Sequence, residues 1–375
     1  MESEAIQMTT AQMLQNMQAM TQKQLKGCII RSDSGVNMYT PDGMGNYTAL
    51  WTRDFTYMVE YAGEWIPTED IRANIEYLLE GAGQDGWIPD RVDGRKTSRY
   101  TAGDGSIGLP NLDNASFVVI ATDEYMKRVD PQEGRRFFQK WYPVLQRGLD
   151  VLPKDDTGLI FNDPDHPHSP YGFTDCIGKT GSLLMESLLY WRALKILSER
   201  YTECNLPNDH WIRQIAAIEK NLYPTFHTNQ GVMVAATVDC RQIDIWANCY
   251  AVSIGFPLPD SVKADIGHYM LKHSEDIVES GQIRHLVKGE YWSRLLSGIP
   301  RGEYQNGAYW ATAAGWFADA IAAYDRNAAE KVLTDVYTYF QNEGIFECVN
   351  GEYQKLNNYV ASATNVYHAM KKYLH

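Results

Sequence analysis

Two carboxyl residues stand in widely separated segments that are rich in glycine and aromatic residues. Asp175 lies between two glycines in Tyr171-Gly-Phe-Thr-Asp-Cys-Ile-Gly178, where the neighbouring rings would partly remove it from water. Desolvation raises the pKa of a carboxyl, as a general acid requires. Glu347 follows two apolar residues, which predicts a side chain held on the inner side of its loop. Taken alone, Asp175 is equally compatible with a turn, and Glu347 fits a surface position better.

Polar residues also precede other apolar segments. Arg53 and Asp54 follow Trp51, an arrangement that either fixes several hydroxyl groups beside an aromatic wall or caps a helix with an ion pair. Of Asp113 and Asn114, we expect one to cap a helix and the other to contact a ligand. These segments therefore supply candidates for binding as well as for catalysis.

A third group of polar residues, Glu303, Gln305 and Asn306, precedes a run of small and aromatic residues. Donors and acceptors at the start of a buried helix are costly unless they are satisfied, so ligand binding is favoured over capping here. The predicted substrate-binding residues are Trp51, Arg53, Asp54, Trp87, Asp113, Asn114, Lys179, Trp246, Glu303, Gln305, Asn306 and Trp310.

Carboxyls on separate loops, together with Arg, Lys, amides and many aromatic residues, are typical of sites that cleave a glycosidic bond. One carboxyl protonates the leaving oxygen, and the other activates water or attacks. The sequence contains no HExxH, CxxC, GxxxxGK[ST] or GxSxG motif. His166 and His168 lie in a Pro-rich stretch and are expected to face solvent. We therefore predict neither a metal nor a cofactor.

The elements that must position these residues are helices of two kinds. Six loops, about 20 to 35 residues long, lead into segments that are apolar on nearly every side, and such helices are buried all round. They begin near Ala49, Ala115, Leu183, Ile245, Ala308 and Ala361. Between them, single apolar stripes predict amphipathic helices at 8–23, 69–79, 132–149, 211–222, 261–272 and 328–340. Six inner and six outer helices predict an all-α (α/α)6 barrel with the long loops at one mouth.

Composition narrows the class of protein. The net charge of −13 and the lack of a basic stripe argue against nucleic acid and anionic membranes as partners. No apolar run reaches the roughly 20 residues that span a bilayer, and the first residues lack the apolar stretch of a secretory signal. The six cysteines show no regular spacing and indicate reduced thiols. No linker divides the chain, so we expect one cytoplasmic domain covering residues 1–375.

The chain resembles the six-hairpin glycosidases, the (α/α)6-barrel clan that includes the glucoamylase-like, trehalase and processing α-glucosidase families. Leu50-Trp-Thr-Arg-Asp54 is similar to the glucoamylase-like W-[TV]-R-D motif, whose Arg–Asp pair holds the terminal sugar. Asp175 falls where these families place the general acid. Glu347, followed by Asn358-Tyr-Val-Ala-Ser-Ala363, resembles the late catalytic base. Gln305-Asn-Gly307 is similar to the P-N-G-W segment of trehalases.

The resemblance implies an inverting, exo-acting hydrolase of a small glycoside, with Asp175 as acid, Glu347 as base and Glu303 as reserve base. It also implies carboxyls roughly 6.5–9.5 Å apart. Two departures leave the sugar and its linkage open: a single Asp replaces the glutamate pair of glucoamylases, and Tyr359 stands where Trp is usual. A phosphorylase, an epimerase, a lyase or a non-catalytic sugar-binding protein are the alternatives, and the oligomeric state is open.

Overall fold

Helices dominate the computed structural model, which describes residues 9–374. The outer helices are α1 (Thr10–Gly27), α3 (Thr68–Glu80), α5 (Pro131–Asp150), α7 (Asp209–Phe226), α9 (Asp260–Lys272) and α12 (Arg326–Asn342). The inner helices are α2 (Thr52–Ala62), α4 (Asn114–Met126), α6 (Leu184–Glu203), α8 (Ile245–Ser253), α11 (Ala314–Ile321) and α13 (Val360–Tyr373). A single-turn helix, α10 (Ser274–Ile277), follows α9.

The inner helices form a closed ring. Each packs against the next along the chain, and α13 returns to pack against α2. Every residue of α4 is buried, whereas α7 buries one stripe that includes Trp211, Ile218 and Leu222. This contrast is the one that the apolar patterns predicted. The architecture is therefore an all-α (α/α)6 barrel.

The long loops contain short antiparallel strands. They are β1 (Ile29–Arg31), β2 (Asn37–Tyr39), β3 (Ala49–Trp51), β4 (Arg91–Asp93), β5 (Ser98–Arg99), β6 (Phe161–Asn162), β7 (Gly181–Ser182), β8 (Val278–Glu279), β9 (Gln282–Ile283), β10 (Phe346–Asn350) and β11 (Tyr353–Asn357). In the β10–β11 hairpin, Phe346 pairs with Asn357 and Cys348 with Lys355. The hairpin directly precedes α13 and carries one of the predicted catalytic residues.

Two inner helices begin later than predicted. The helix expected near Ala49 begins at Thr52, because Ala49–Trp51 pairs with Arg91–Asp93 as strand β3. The outer helices lie within a few residues of the predicted ranges, although the predicted start of the first, Met8, falls outside the described residues. Local periodicity located the helices, and strand pairing with distant residues shifted their starts.

The larger shift concerns the fifth inner helix. It was expected near Ala308 and begins at Ala314. Tyr309 exchanges backbone hydrogen bonds with Val349, and Trp310 does so with Ile283, so this stretch is extended. The prediction of a helix start at Ala308 is therefore wrong, because pairing to two other loops satisfies the backbone instead.

Two further observations bear on the expectations from composition. Within residues 9–374, no helix is long and apolar enough to cross a membrane. The six cysteines all lie in this range, and none forms a disulfide bond. Five of their side chains are buried, and that of Cys204 is partly exposed.

Candidate active site

A pocket of about 220 Å³ opens where the inner helices begin. Its wall comes from loops that precede different inner helices, so residues far apart in the chain meet there. The lining residues are Pro41, Tyr47, Trp51, Arg53, Asp54, Asp90, Gly103, Gly172, Phe173, Asp175, Cys176, Tyr304, Glu347, Lys355 and Tyr359. The pocket thus contains both predicted catalytic carboxyls and the Trp51–Arg53–Asp54 group.

Arg53 forms a rigid part of the wall. Its Nη1 lies 2.8 Å from Asp90 Oδ1, and its Nε donates to Asp113 Oδ2 at 3.0 Å. The backbone N–H of Gly172 donates to the same Asp113 oxygen at 2.8 Å. A Cβ at position 172 would lie 1.6 Å from Arg53 Nε, so only glycine fits there. Arg53 is 3% exposed, and most of its donors serve to fix the pocket wall.

Asp175 is presented to the pocket by a single 3₁₀ turn, Gly172–Thr174. Gln305 donates to Asp175 Oδ1 at 2.7 Å and accepts from the Cys176 backbone N–H at 2.9 Å. Burial raises the pKa of Asp175 to about 6, although the positive charge of Arg53 opposes the rise. A carboxyl with such a pKa keeps its proton to a higher pH than an ordinary aspartate does, which suits a general acid.

Glu347 lies on β10 and is 2% exposed. The Tyr47 hydroxyl donates to Oε1 at 3.1 Å and lies 3.3 Å from Oε2, while Lys355 Nζ is 3.8 Å from Oε2. Burial raises the pKa of Glu347 to about 7; the charges of Asp54 and Asp175 add to the rise, and Lys355 opposes it. The prediction that this side chain faces inward is confirmed.

Asp54 is the third buried carboxyl of the pocket. It lies in the first turn of α2, and the Tyr359 hydroxyl donates to its Oδ1 at 2.5 Å. Burial raises the pKa of Asp54 to about 6, with Arg53 and the Tyr359 hydrogen bond opposing the rise. The N-terminus of a helix favours negative charge, which suits a carboxylate that accepts hydroxyl protons. One oxygen of Asp54 is thus tied to the wall by Tyr359.

Aromatic rings form the rest of the wall. Tyr47 meets Trp51 edge to face at a centroid distance of 4.9 Å, and the Arg91 guanidinium lies 5.2 Å from the Trp51 ring centroid. Phe173 meets Tyr359 edge to face at 6.4 Å. Rings combined with carboxyls and hydroxyls offer both an apolar face and polar partners, as a sugar ring requires.

Several of the predicted binding residues support the wall from behind. Asn114 accepts from Arg53 Nη2 at 3.3 Å, and Asp113 and Gln305 hold Arg53 and Asp175 as described. Asn306 accepts from the Trp292 backbone N–H at 3.1 Å. These residues order the pocket without lining it.

The remaining predicted binding residues lie away from the pocket wall. Lys179 is fully buried and pairs with Glu186 at 3.0 Å. Trp246 and Trp310 belong to the core, and Glu303 is half-buried outside the pocket. Trp87 packs on His168 at a centroid distance of 5.0 Å. An aromatic residue near a helix start can face either pocket or core, and sequence pattern alone does not separate the two.

The histidine prediction is confirmed for one residue only. The His166 side chain is 78% exposed, as expected. His168 is half-buried against Trp87, and its Nδ1 lies 2.7 Å from the Pro110 carbonyl oxygen, so the prediction of a solvent-facing side chain is wrong there. Among residues 9–374, no group of three or more His, Cys, Asp or Glu side chains is placed to hold a metal ion.

Sequence reasoning missed several residues that line the pocket. Asp90 follows Trp87-Ile-Pro in one of the long loops, and Tyr47 stands four residues before Trp51. Both residues stand in segments that also supply predicted site residues, but neither was singled out from the sequence. Lys355 carried no signal at all, because its segment resembles an ordinary surface hairpin.

Comparison with known proteins identifies the fold. No protein-family model matches the sequence, and no curated protein matches it. The GH63 mannosylglycerate hydrolase from Thermus thermophilus, in complex with Tris and D-glycerate, superposes with a TM-score of 0.66 at 14% identity. The match covers 94% of this chain and 99% of the hydrolase chain.

Two rhamnosidases show the same likeness over part of their length. The rhamnosidase from Klebsiella oxytoca with rhamnose bound has a TM-score of 0.67 at 13% identity, over 96% of this chain and 63% of that chain. The GH78 rhamnosidase of a Bacillus species has a TM-score of 0.62 at 11% identity, over 95% and 34%. At such identities the likeness shows the fold, which is that of the six-hairpin glycosidases.

Proposed function

We propose that the protein is an inverting, exo-acting glycoside hydrolase that releases a terminal sugar from a small glycoside. The observation that carries the proposal is the pairing of Asp175 and Glu347, which come from separate loops and line one pocket. Asp175 donates its proton to the glycosidic oxygen as the bond to the anomeric carbon breaks. Glu347 accepts a proton from the water that attacks this carbon from the opposite face.

The assignment of acid and base rests on the hydrogen-bond donors around each carboxyl. Glu347 faces the Tyr47 hydroxyl and the Lys355 ammonium, which both favour a carboxylate. Asp175 instead accepts from the neutral amide of Gln305 on Oδ1. Burial raises the pKa of Glu347 to about 7 and that of Asp175 to about 6, and the nearby Lys355 ammonium is the feature that favours Glu347 as the base.

A single terminal sugar suits the dimensions of the pocket. Its volume of about 220 Å³ lies below the roughly 300–1,000 Å³ typical of sites for drug-sized ligands. Asp54 would accept from sugar hydroxyls, with Trp51 beside the ring, and Arg53 would mainly hold the wall in place. A pocket this small favours the end of a chain over an internal segment of a polymer.

Among the alternatives, a phosphorylase is the nearest in chemistry, because it differs only in the attacking group. It would require an anion site where the base stands, yet Glu347, Asp54 and Asp175 all lie there. The negative charges of these carboxylates would repel the phosphate anion. Hydrolysis by water is therefore the better supported reaction.

The test is hydrolysis of a panel of aryl α- and β-glycosides and natural disaccharides, with and without phosphate. Mannosylglycerate and rhamnosides belong in the panel, because the structurally similar enzymes act on or bind such sugars. We expect release of one sugar, independent of phosphate, and NMR of the fresh product should show inverted anomeric configuration. Phosphate-dependent turnover would replace the proposal with a phosphorylase, and retention would exclude the inverting mechanism.

A further inference from the structure

Glu347 stands in an electrostatic environment that disfavours its charged form. It is 2% exposed, and the carboxyls of Asp54 and Asp175 both act on it. Other titratable groups that interact with it electrostatically include the phenols of Tyr47, Tyr304, Tyr353 and Tyr359 and the thiol of Cys348. None of these groups supplies a positive charge. A base in this position needs a cation to remain ionised.

Lys355 supplies that cation from the same hairpin. Its Nζ lies 3.8 Å from Glu347 Oε2 and 3.0 Å from the centroid of the Tyr304 ring. The side chain is 28% exposed and lines the pocket. The ammonium is therefore held between an aromatic face and the carboxylate, a cation–π arrangement that is stronger when partly desolvated.

The backbone on both sides of this contact is in a rare conformation. Tyr304, whose ring supports the ammonium, has a φ of 43°, and so does Leu356, the residue after Lys355. Residues other than glycine seldom adopt such values, and they persist only where the surrounding structure imposes them. The backbone around Tyr304 and Lys355 is therefore fixed in a defined conformation on both sides of the ammonium.

We propose that Lys355 is a positioning residue whose ammonium keeps Glu347 as a carboxylate, ready to accept a proton from water. It acts through Glu347 and transfers no proton itself. The proposal rests on the role of Glu347 as base in the proposed function. An opposite charge at about 4–6 Å typically lowers the pKa of a carboxyl by about one to three units, so its loss should raise that of Glu347 by a similar amount.

The first measurement is direct titration of Glu347 by carbon NMR of the glutamate carboxyls in wild type, Lys355→Met and Lys355→Arg, with Glu347→Gln to assign the signal. We expect the midpoint to rise by about one unit or more in Lys355→Met and to return toward wild type in Lys355→Arg. Lys355→Gln serves if the Met variant does not fold. An unchanged midpoint in the uncharged variants would overturn the proposal.

The second measurement is the pH profile of kcat/KM. In Lys355→Met, the limb that reports Glu347 should move to higher pH and the maximum should fall about tenfold or more, while the limb of Asp175 stays. Lys372→Met is the matched control, because Lys372 pairs with Asp319 far from the pocket, and it should leave the profile unchanged. A change in KM with both limbs fixed would contradict the proposal by making Lys355 a substrate contact.

The two measurements separate this inference from the proposed function. If the Glu347 midpoint rises in Lys355→Met but no glycoside is hydrolysed, the electrostatic link stands and the proposed function fails. If hydrolysis is observed and the midpoint does not move, the proposed function stands and Lys355 has no positioning role.

Discussion

The barrel has a pocket of similar volume at each end, and the two differ in how their carboxyls are partnered. The mouth pocket measures about 220 Å³, and the opposite one, lined by residues that include Glu60, Arg192 and Asp319, about 230 Å³. At the opposite end, Arg192 Nη2 lies 2.6 Å from Glu60 Oε1, and Lys372 Nζ lies 2.6 Å from Asp319 Oδ1. Volume therefore does not distinguish the two ends.

Charge pairing distinguishes them. In the mouth pocket, burial raises the pKa of Asp54, Asp175 and Glu347, and the positive charges of Arg53 and Lys355 oppose the rise only in part. At the opposite end, Asp319 also accepts hydrogen bonds from Ser253 and Tyr373 in addition to its ion pair with Lys372. Buried carboxyls with a raised pKa are typical of functional sites. Carboxylates held in ion pairs more often have a structural role. The comparison predicts that the two ends respond differently to the same substitution.

The largest expected effect is on catalysis at the mouth. Asp175→Asn should lower kcat by about 10²–10⁴-fold, the usual contribution of a general acid. The matched variant at the opposite end, Asp319→Asn, should retain kcat within about twofold. Steady-state kinetics on the glycoside identified by the panel, with circular dichroism to confirm folding, would measure both. Equal losses in the two variants would break the comparison.

A second prediction concerns stability and pH. The pKa of Glu347 rises from 4.5 to about 7 on folding, so the native state binds more protons than the unfolded chain between these values. Stability from this group therefore falls as pH rises through that window. Glu347→Gln should remove the loss, on the order of 3 kcal/mol, and raise the melting temperature at pH 8 more than at pH 4. A lower melting temperature of the variant at pH 8 would show that ionised Glu347 does not destabilise the folded protein.

The same substitution at the opposite end should act in the other direction. Glu60→Gln leaves Arg192 without its carboxylate, and losing a hydrogen bond between charged groups costs about 1–3 kcal/mol. We expect a melting temperature a few degrees lower at pH 8, with kcat unchanged. Thermal unfolding of Glu60→Gln and Glu347→Gln side by side would sharpen the comparison, and a shift of the same sign in both would contradict it.

The smallest expected effect separates two tryptophans near the mouth. Trp51 lines the pocket, whereas Trp87 packs on His168 outside its wall. Trp51→Ala should raise KM about tenfold, since a lost aromatic contact costs on the order of 1–2 kcal/mol. Trp87→Ala should change KM less than about twofold. A larger effect of Trp87 than of Trp51 would mean that the substrate extends beyond the described pocket.

The fold could be predicted from the sequence because its signal is local. An apolar stripe or an apolar surface repeats within each helix, and the alternation of the two kinds indicates a double ring. The start expected near Ala308 could not be located in this way, because Tyr309 and Trp310 pair with residues from two other loops. Pairing between distant loops leaves no periodic trace in a short segment.

The candidate site was predictable to a similar degree. Arg53, Asp54, Asp175 and Glu347 stand out because they combine charge with aromatic neighbours in the loops that lead to inner helices, and the fold brings all four to one pocket. Lys355 could not be chosen, because only the pairing of β10 with β11 carries it to Glu347. Lys179, buried against Glu186, shows the converse: a charged residue in a loop can serve the core.

The most direct test of the acid and base roles compares two substrates with the same sugar, an alkyl glycoside and a glycosyl fluoride. Departure of fluoride needs little help from a general acid, whereas departure of an alkoxide depends on it. We predict that Asp175→Asn hydrolyses the alkyl glycoside about 10²-fold or more slowly than wild type but hydrolyses the fluoride within about tenfold of the wild-type rate. Glu347→Gln should lose activity on both substrates. If Asp175→Asn lost activity on both substrates while Glu347→Gln still cleaved the fluoride, the result would contradict these assignments and reverse the acid and base roles.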